Sequence, residues 1–219
     1  MIPATQAAPY GAAESAPTEE AARDRLVAAL IRSSAEHGYA NTSVHQVTRF
    51  AGLDPEDFYA VFADRGQCLL AAHEVFFDRL IDEVADECRT AGSWPEQVRA
   101  AVRCGLELLS EKATLARAFV VEALWTGPAA HDRHHSLVER LAEALRGGRE
   151  RFPRAAAHPD SLERILVGGC LELIGARLLA EETVDLPDLE AELTELLLAP
   201  YVGGAVARAA AGTQVPQVS

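Results

Sequence analysis

No segment of this chain alternates apolar and polar residues for long enough to make a half-buried strand, whereas apolar side chains recur every three or four positions along nearly all of it. A period near 3.6 puts those side chains on one stripe of a helix, and a chain with that period in every long segment folds as packed helices. The punctuation between segments agrees. Thr18 precedes Glu19 and Glu20, an N-cap followed by two carboxylates at the positive end of the helix dipole. Ser43 with Gln46, and Ser93 with Glu96 around Pro95, have capping-box spacing. Asp54-Pro55 joins a good cap to a proline at the first helical position, where its missing N–H costs nothing. Gly38 and Gly52 stop helices, and Gly127-Pro128, the Phe152-Pro153 to Pro159 segment and Leu186-Pro187 separate the later ones. These signals predict an all-α fold of about nine helices. The first ends at Gly38; the others span 43–50, 55–61, 65–89, 94–110, 112–126, 129–151, 159–181 and 187–209, the last kinked at Pro200. Residues 1–17, rich in Ala and Pro, read as a flexible arm, and 210–219 as a disordered tail.

A length of 219 residues suits one large domain or two small ones. The formal charge of −13 argues weakly against nucleic acid, because counterion release needs cations at the phosphates, and Lys112 is the single lysine. Cys68, Cys88, Cys104 and Cys170 are far apart, which fits reduced thiols on helix faces and neither a zinc site nor a disulfide framework. His131 and His135 lie one helical turn apart, but no carboxylate or Cys completes a metal set, so they read as a solvated helix start. No Walker loop, nucleophile elbow, zincin motif or dinucleotide fingerprint occurs, so neither enzyme activity nor a cofactor is expected. The first 17 residues have no Lys or Arg, and "LLLAPYVGGAVA" is too short to span a bilayer. A soluble cytoplasmic protein is the expectation.

Three short helices, the second and third joined by a tight Gly-containing turn, make a helix-turn-helix. The stretch "RLVAALIRSSAEHGYANTSVHQVTRFAGLDPEDFYAVFADRGQCLLAA" carries more. It resembles the N-terminal domain of TetR-type (tetracycline-repressor-like) bacterial transcriptional regulators through Leu26, Ala29, Gly38-Tyr39, Thr42-Ser43-Val44, Val47, Ala51-Gly52-Leu53, Phe58-Tyr59, Phe62 and Leu69-Leu70. The resemblance implies a DNA-binding domain at 18–64 and a helical ligand-binding and dimerisation domain at 65–209. The helix at 55–61 would enter the major groove and that at 43–50, opened by Ser43, would buttress it. Thr42, Tyr59 and Arg65 fall where the family touches phosphate, and Arg49 is a nearby cation.

The departures from that family pattern lie in the reading helix. Asp54-Pro55-Glu56-Asp57 stands where the family has Ser-Lys-Gly-Thr, and Ala60-Val61 where it has basic residues or His. Ser33-Ser34 replaces an apolar pair, and no cation precedes Arg23. Residues 19–80 contain ten acidic and six basic side chains. Asp54 reads as a cap. Glu56 and Asp57 read either as acceptors for a cytosine amino group or as a solvated face.

In the remainder, Trp94, Leu106, Leu109, Phe119, Leu124 and Trp125 are the side chains best suited to line an apolar pocket. Gly168 and Gly175, and Leu171 and Leu178, repeat seven apart; Leu189, Leu193 and Leu196 follow in the last helix. The resemblance makes these two helices the seam of a C₂ homodimer. The combined expectation is a dimeric repressor that leaves double-stranded operator DNA when a small apolar effector binds. The alternative is a TetR-like chain whose acidic third helix no longer binds DNA and which acts through a ligand or protein partner.

Overall fold

The computed structural model describes residues 17–123, 127–180 and 185–212, all helical or irregular. Ten α-helices occur among them: α1 Glu19–His37, α2 Val44–Ala51, α3 Pro55–Val61, α4 Arg65–Cys88, α5 Trp94–Glu111, α6 Ala113–Ala116, α7 Pro128–Arg146, α8 Leu162–Leu179, α9 Glu190–Val202 and α10 Gly204–Ala211. Short 3₁₀ turns at Pro153–Ala157 and Leu186–Leu189 lead into α8 and α9.

The first four helices start where local hydrogen bonds start them. Thr18 Oγ1 accepts from the Ala21 N–H at 3.3 Å. Ser43 and Gln46 close a full capping box, with the Ser43 N–H donating to Gln46 Oε1 at 2.7 Å and the Gln46 N–H to Ser43 Oγ at 3.2 Å. At α3 the Asp57 carboxylate accepts the Asp54 N–H at 2.9 Å. Asp64 Oδ1 accepts the Gln67 N–H at 2.8 Å ahead of α4. Gly52 ends α2 in the left-handed conformation, φ 64°, which glycine adopts without a Cβ clash.

The later helices depart more from the sequence expectation. The predicted 112–126 helix is a single turn, α6, that widens into a π-turn over Arg117–Val121. The predicted 187–209 helix is divided at Gly203, φ 86°, three residues beyond Pro200, and α10 then carries helix through Ala211 into the expected tail. Residues 1–16 of the arm and 213–219 of the tail lie outside the described residues.

One contiguous apolar core runs through both expected domains. α1 packs on α2, α3, α4 and α6, so its stripe of Leu26, Ala29 and Leu30 closes the helix-turn-helix on one side and meets the larger bundle on the other. Val47 from α2 and Phe58 from α3 are fully buried in that cluster. Burying a side chain of such size contributes roughly 2–3 kcal/mol, enough to hold two helices that are each too short to persist alone. Ser33 and Ser34 are fully buried as well. Ser33 Oγ lies 3.3 Å from Thr42 Oγ1, while Ser34 Oγ has no partner.

Candidate DNA-reading face and ligand cleft

The α2–α3 unit presents a small polar surface. Tyr59 stands outward, 60% exposed, its ring edge-on to Phe58 at 5.4 Å, so it is not part of the core. Glu56 is exposed and makes no hydrogen bond or ion pair among the described residues. Asp57 is half-buried, and one carboxylate oxygen is committed to the Asp54 N–H. Of the three carboxylates that open α3, two therefore serve the helix start and Glu56 alone is free to face a ligand. Arg49 is exposed beside Phe50, its guanidinium 5.9 Å from that ring. Ser43 is exposed, but its hydroxyl and N–H are both used by Gln46. Arg25 donates to the Gly52 carbonyl at 3.3 Å, tying α1 to the turn.

Two residues expected at phosphate have internal roles. Thr42 is fully buried; its hydroxyl donates to the Gly38 carbonyl at 2.9 Å and meets Ser33. It sits inward because the α1–α2 loop folds back onto Ser33 of α1. Arg65, at the first position of α4, donates to the carbonyls of Tyr39, at 3.2 Å, and Thr42, and its guanidinium lies 4.3 Å from the centre of the Tyr39 ring. Arg65 thus clasps the α1–α2 loop to the start of α4. Burial raises the Tyr39 phenol, against the opposing pull of the Arg65 charge and hydrogen bond.

The expected pocket residues that are described, Trp94, Leu106, Leu109 and Phe119, are packed in the core. Leu106, Leu109 and Phe119 are core residues, at 5% exposure or less. Trp94 packs between Phe152, 5.4 Å away, and Tyr201, 4.7 Å away. Its ring lies 2.3 Å from where a Cβ on Gly148 would sit, so Gly148 is what admits it. Apolar character marks what leaves water and cannot by itself distinguish packing from a pocket wall. Leu124 and Trp125 lie outside the described residues.

A cleft of about 290 Å³ opens instead between α4 and α7. His73, Phe77 and Leu137, all buried, are its apolar floor. The rim is polar and stitched across: Arg133 pairs with Glu74, and Arg140 with Asp78 at 2.6 Å. Ser136 donates to the Asp132 carbonyl at 2.9 Å, leaving its oxygen lone pairs available. His73 is 6% exposed and makes no hydrogen bond among the described residues. Its ring touches Phe77 at 4.6 Å, edge-on Phe119 lies at 6.2 Å, and burial, followed by the Arg133 and His134 charges, pulls its pKa down to about 4. The signal in the sequence for this residue is a lone imidazole between Leu69 and Phe76 on the apolar stripe of α4. The cluster at 131–135, which reads in sequence as a solvated helix start, sends Asp132 and Arg133 to the cleft. No group of three or more metal-ligating side chains occurs among the described residues.

The α8–α9–α10 face divides the expected seam. Leu178, Leu189 and Leu193 are buried within the chain, at 3% exposure or less, Leu171 packs partly against the core, and Gly175 abuts Val120 and Val121. Those positions cover the chain's own core. The outward stripe of α8 runs through Ile165 and Leu179, exposed by 67% and 51%, with the open Gly168 between them. Leu196 of α9 and Val206 of α10 are also exposed, at 38% and 54%.

No protein-family profile matches the chain, and no curated protein matches its sequence. Solved structures do match. The chain is similar to RolR in complex with resorcinol, at 23% identity and TM-score 0.70, over 92% of this chain and 98% of that one. It is similar to FadR from Bacillus subtilis in complex with stearoyl-CoA, at 15% identity and TM-score 0.62, over 82% and 98%. A TetR family transcription regulator from Marinobacter aquaeolei VT8 matches at 22% identity and TM-score 0.52, over 80% and 96%. The fold is therefore that of the TetR-type transcription regulators. Among the described residues no helix is long and apolar enough to cross a membrane.

Proposed function

We propose that this chain is a ligand-responsive TetR-type transcriptional regulator acting in the cytoplasm as a C₂ homodimer, a repressor released from double-stranded operator DNA by a small molecule. The observation that carries the reading is the course of α4. One uninterrupted helix holds the helix-turn-helix loop through Arg65 and, two turns later, supplies His73 to the cleft floor. Anything that moves α4 against α7 in that cleft moves the clasp on the DNA-facing unit, which is the differential contact a two-state regulator needs. The similar structures named above, two of them with small molecules bound, support the same class. The exposed Ile165, Leu179, Leu196 and Val206 support a seam between two copies, because a run of large apolar side chains on neighbouring helices is costly in water.

On this reading Tyr59, Arg49 and Glu56 meet DNA directly, whereas Thr42 and Arg65 act by shaping the loop. Fluorescence anisotropy against fragments of the protein's own upstream region, at about 50 and 200 mM salt, tests it. Specific binding should weaken with salt, Arg49→Ala should lower the salt slope by about one, and Glu56→Ala should relax preference at a cytosine-containing position. Absence of any binding at the lower salt overturns the DNA reading.

A specific observation keeps a second reading in view. Glu56 is a free carboxylate at the tip of α3, and both Thr42 and Arg65 are turned to internal work. A chain in which these features have abolished DNA binding would act through its ligand or a protein partner, and would give flat anisotropy with intact ligand binding.

A further inference from the structure

Building on the ligand-responsive reading, we infer that the α4–α7 cleft takes a small, uncharged, hydroxylated aromatic ring, with its hydroxyl hydrogen-bonded to His73 and its face against Phe77 and Leu137. His73 is the observation that points to a ligand. It is a polar side chain more than nine-tenths buried, it lines the cleft, and no described residue gives it a hydrogen bond. A cleft-lining imidazole with no partner in the chain can take one from an occupant that carries a hydroxyl. Desolvation keeps the ring neutral at physiological pH, so it offers one N–H donor and one lone pair, and either can serve a hydroxyl.

The rest of the cleft limits the class. A volume of about 290 Å³ holds a single substituted ring and not a long chain or a nucleotide. The two cations at the rim are each paired, Arg133 with Glu74 and Arg140 with Asp78. With Asp132 the lining carries two carboxylates and two guanidinium groups, so it has no net charge to draw in an anion. Phe77 and Leu137 offer apolar surface to a flat ring in the same cleft as the imidazole. A phenolic O–H is also a stronger donor to that lone pair than an alcohol.

Calorimetric titration of the full chain with phenol, cyclohexanol, toluene and benzoate tests the assignment, in the wild type, His73→Leu and His73→Gln. Phenol should bind at least tenfold more tightly than the other three. His73→Leu should lower phenol affinity about tenfold and leave toluene unchanged, and His73→Gln, which keeps a donor and an acceptor, should return it to within about threefold. In the wild type the His73 ring resonance should shift as phenol is added, which needs no variant to fold. Toluene or cyclohexanol binding as well as phenol, benzoate binding best, an undiminished His73→Leu, an unmoved His73 resonance or no binding at all each overturn the assignment. The failures are separable. A protein that ignores phenol but leaves DNA for another compound loses only the ligand class, and one that binds phenol but no DNA loses only the regulator reading.

Discussion

Two of the buried polar side chains, Glu163 and His73, are treated by the fold in opposite ways. Glu163, fully buried on α8, is saturated: Arg149 donates to both of its oxygens, at 2.7 and 2.9 Å, and the Tyr201 hydroxyl adds a third bond at 2.7 Å. Arg149 itself also caps the carbonyls of His158 and Pro159. Desolvation pushes the Glu163 carboxyl up, but those hydrogen bonds outweigh it and hold it below the usual range; burial and the same carboxylate raise Tyr201. His73, also buried, on α4, has ring neighbours and no hydrogen bond among the described residues. A closed network of this kind fixes geometry, here the connection from α7 to α8 and its docking on α9. An open polar group beside a cleft leaves a bond to be made by something else. Burial alone does not separate structure from function; partners and access to a cleft do.

The largest expected effect breaks the closed centre. Glu163→Ala should cost about 3 kcal/mol, the low end for breaking a buried pair because Arg149 keeps two carbonyl acceptors. Urea denaturation with an unchanged m-value would measure it, and a loss under about 1 kcal/mol would show that the network is not a structural pin.

The open centre should show itself in acid. The folded-state pKa of His73, about 4, lies below the ordinary 6.5, so the unfolded chain binds the proton first. The associated stability is whole above pH 6.5 and drains as pH falls towards 4, with about 2 kcal/mol gone by pH 5. His73→Leu should remove that part of the pH profile while costing little at pH 7, since no hydrogen bond is lost. Wild-type and variant profiles that stay parallel from pH 7 to 5 would refute it.

Two smaller effects sharpen the contrast. Tyr201→Phe should cost about 1–2 kcal/mol in thermal or urea unfolding, the value of one hydrogen bond to a buried carboxylate. Asp57→Ala removes an acceptor at a solvent-facing helix start and should cost about 1 kcal/mol or less. If Asp57→Ala matched Glu163→Ala, burial would not be what gives the inner network its weight.

How far each part was legible follows from where its physics resides. The starts of α1, α2, α3 and α5 were readable because Thr18, Ser43, Asp54 and Ser93 act within three residues of themselves. The roles of Thr42 and Arg65 were not, because they depend on the α1–α2 loop folding back over Ser33 and on α4 reaching it from more than twenty residues away. The π-turn at Arg117–Val121 has no local signal, and neither does the cleft, which needs α4 and α7 placed side by side.

The sequence by itself determined that the chain is all-helical, where its first helices begin, and that three of them form a helix-turn-helix. Hydrogen-bond caps and a 3.6-residue period are properties of neighbouring residues. Only the tertiary structure decided which leucines of α8 and α9 close the core and which apolar side chains stay outside. The helices are apolar on more than one face, and period alone cannot say which face meets the rest of the chain. It likewise decided that Glu163 is satisfied and His73 is not, because the partners of a buried polar group arrive from elsewhere in the fold.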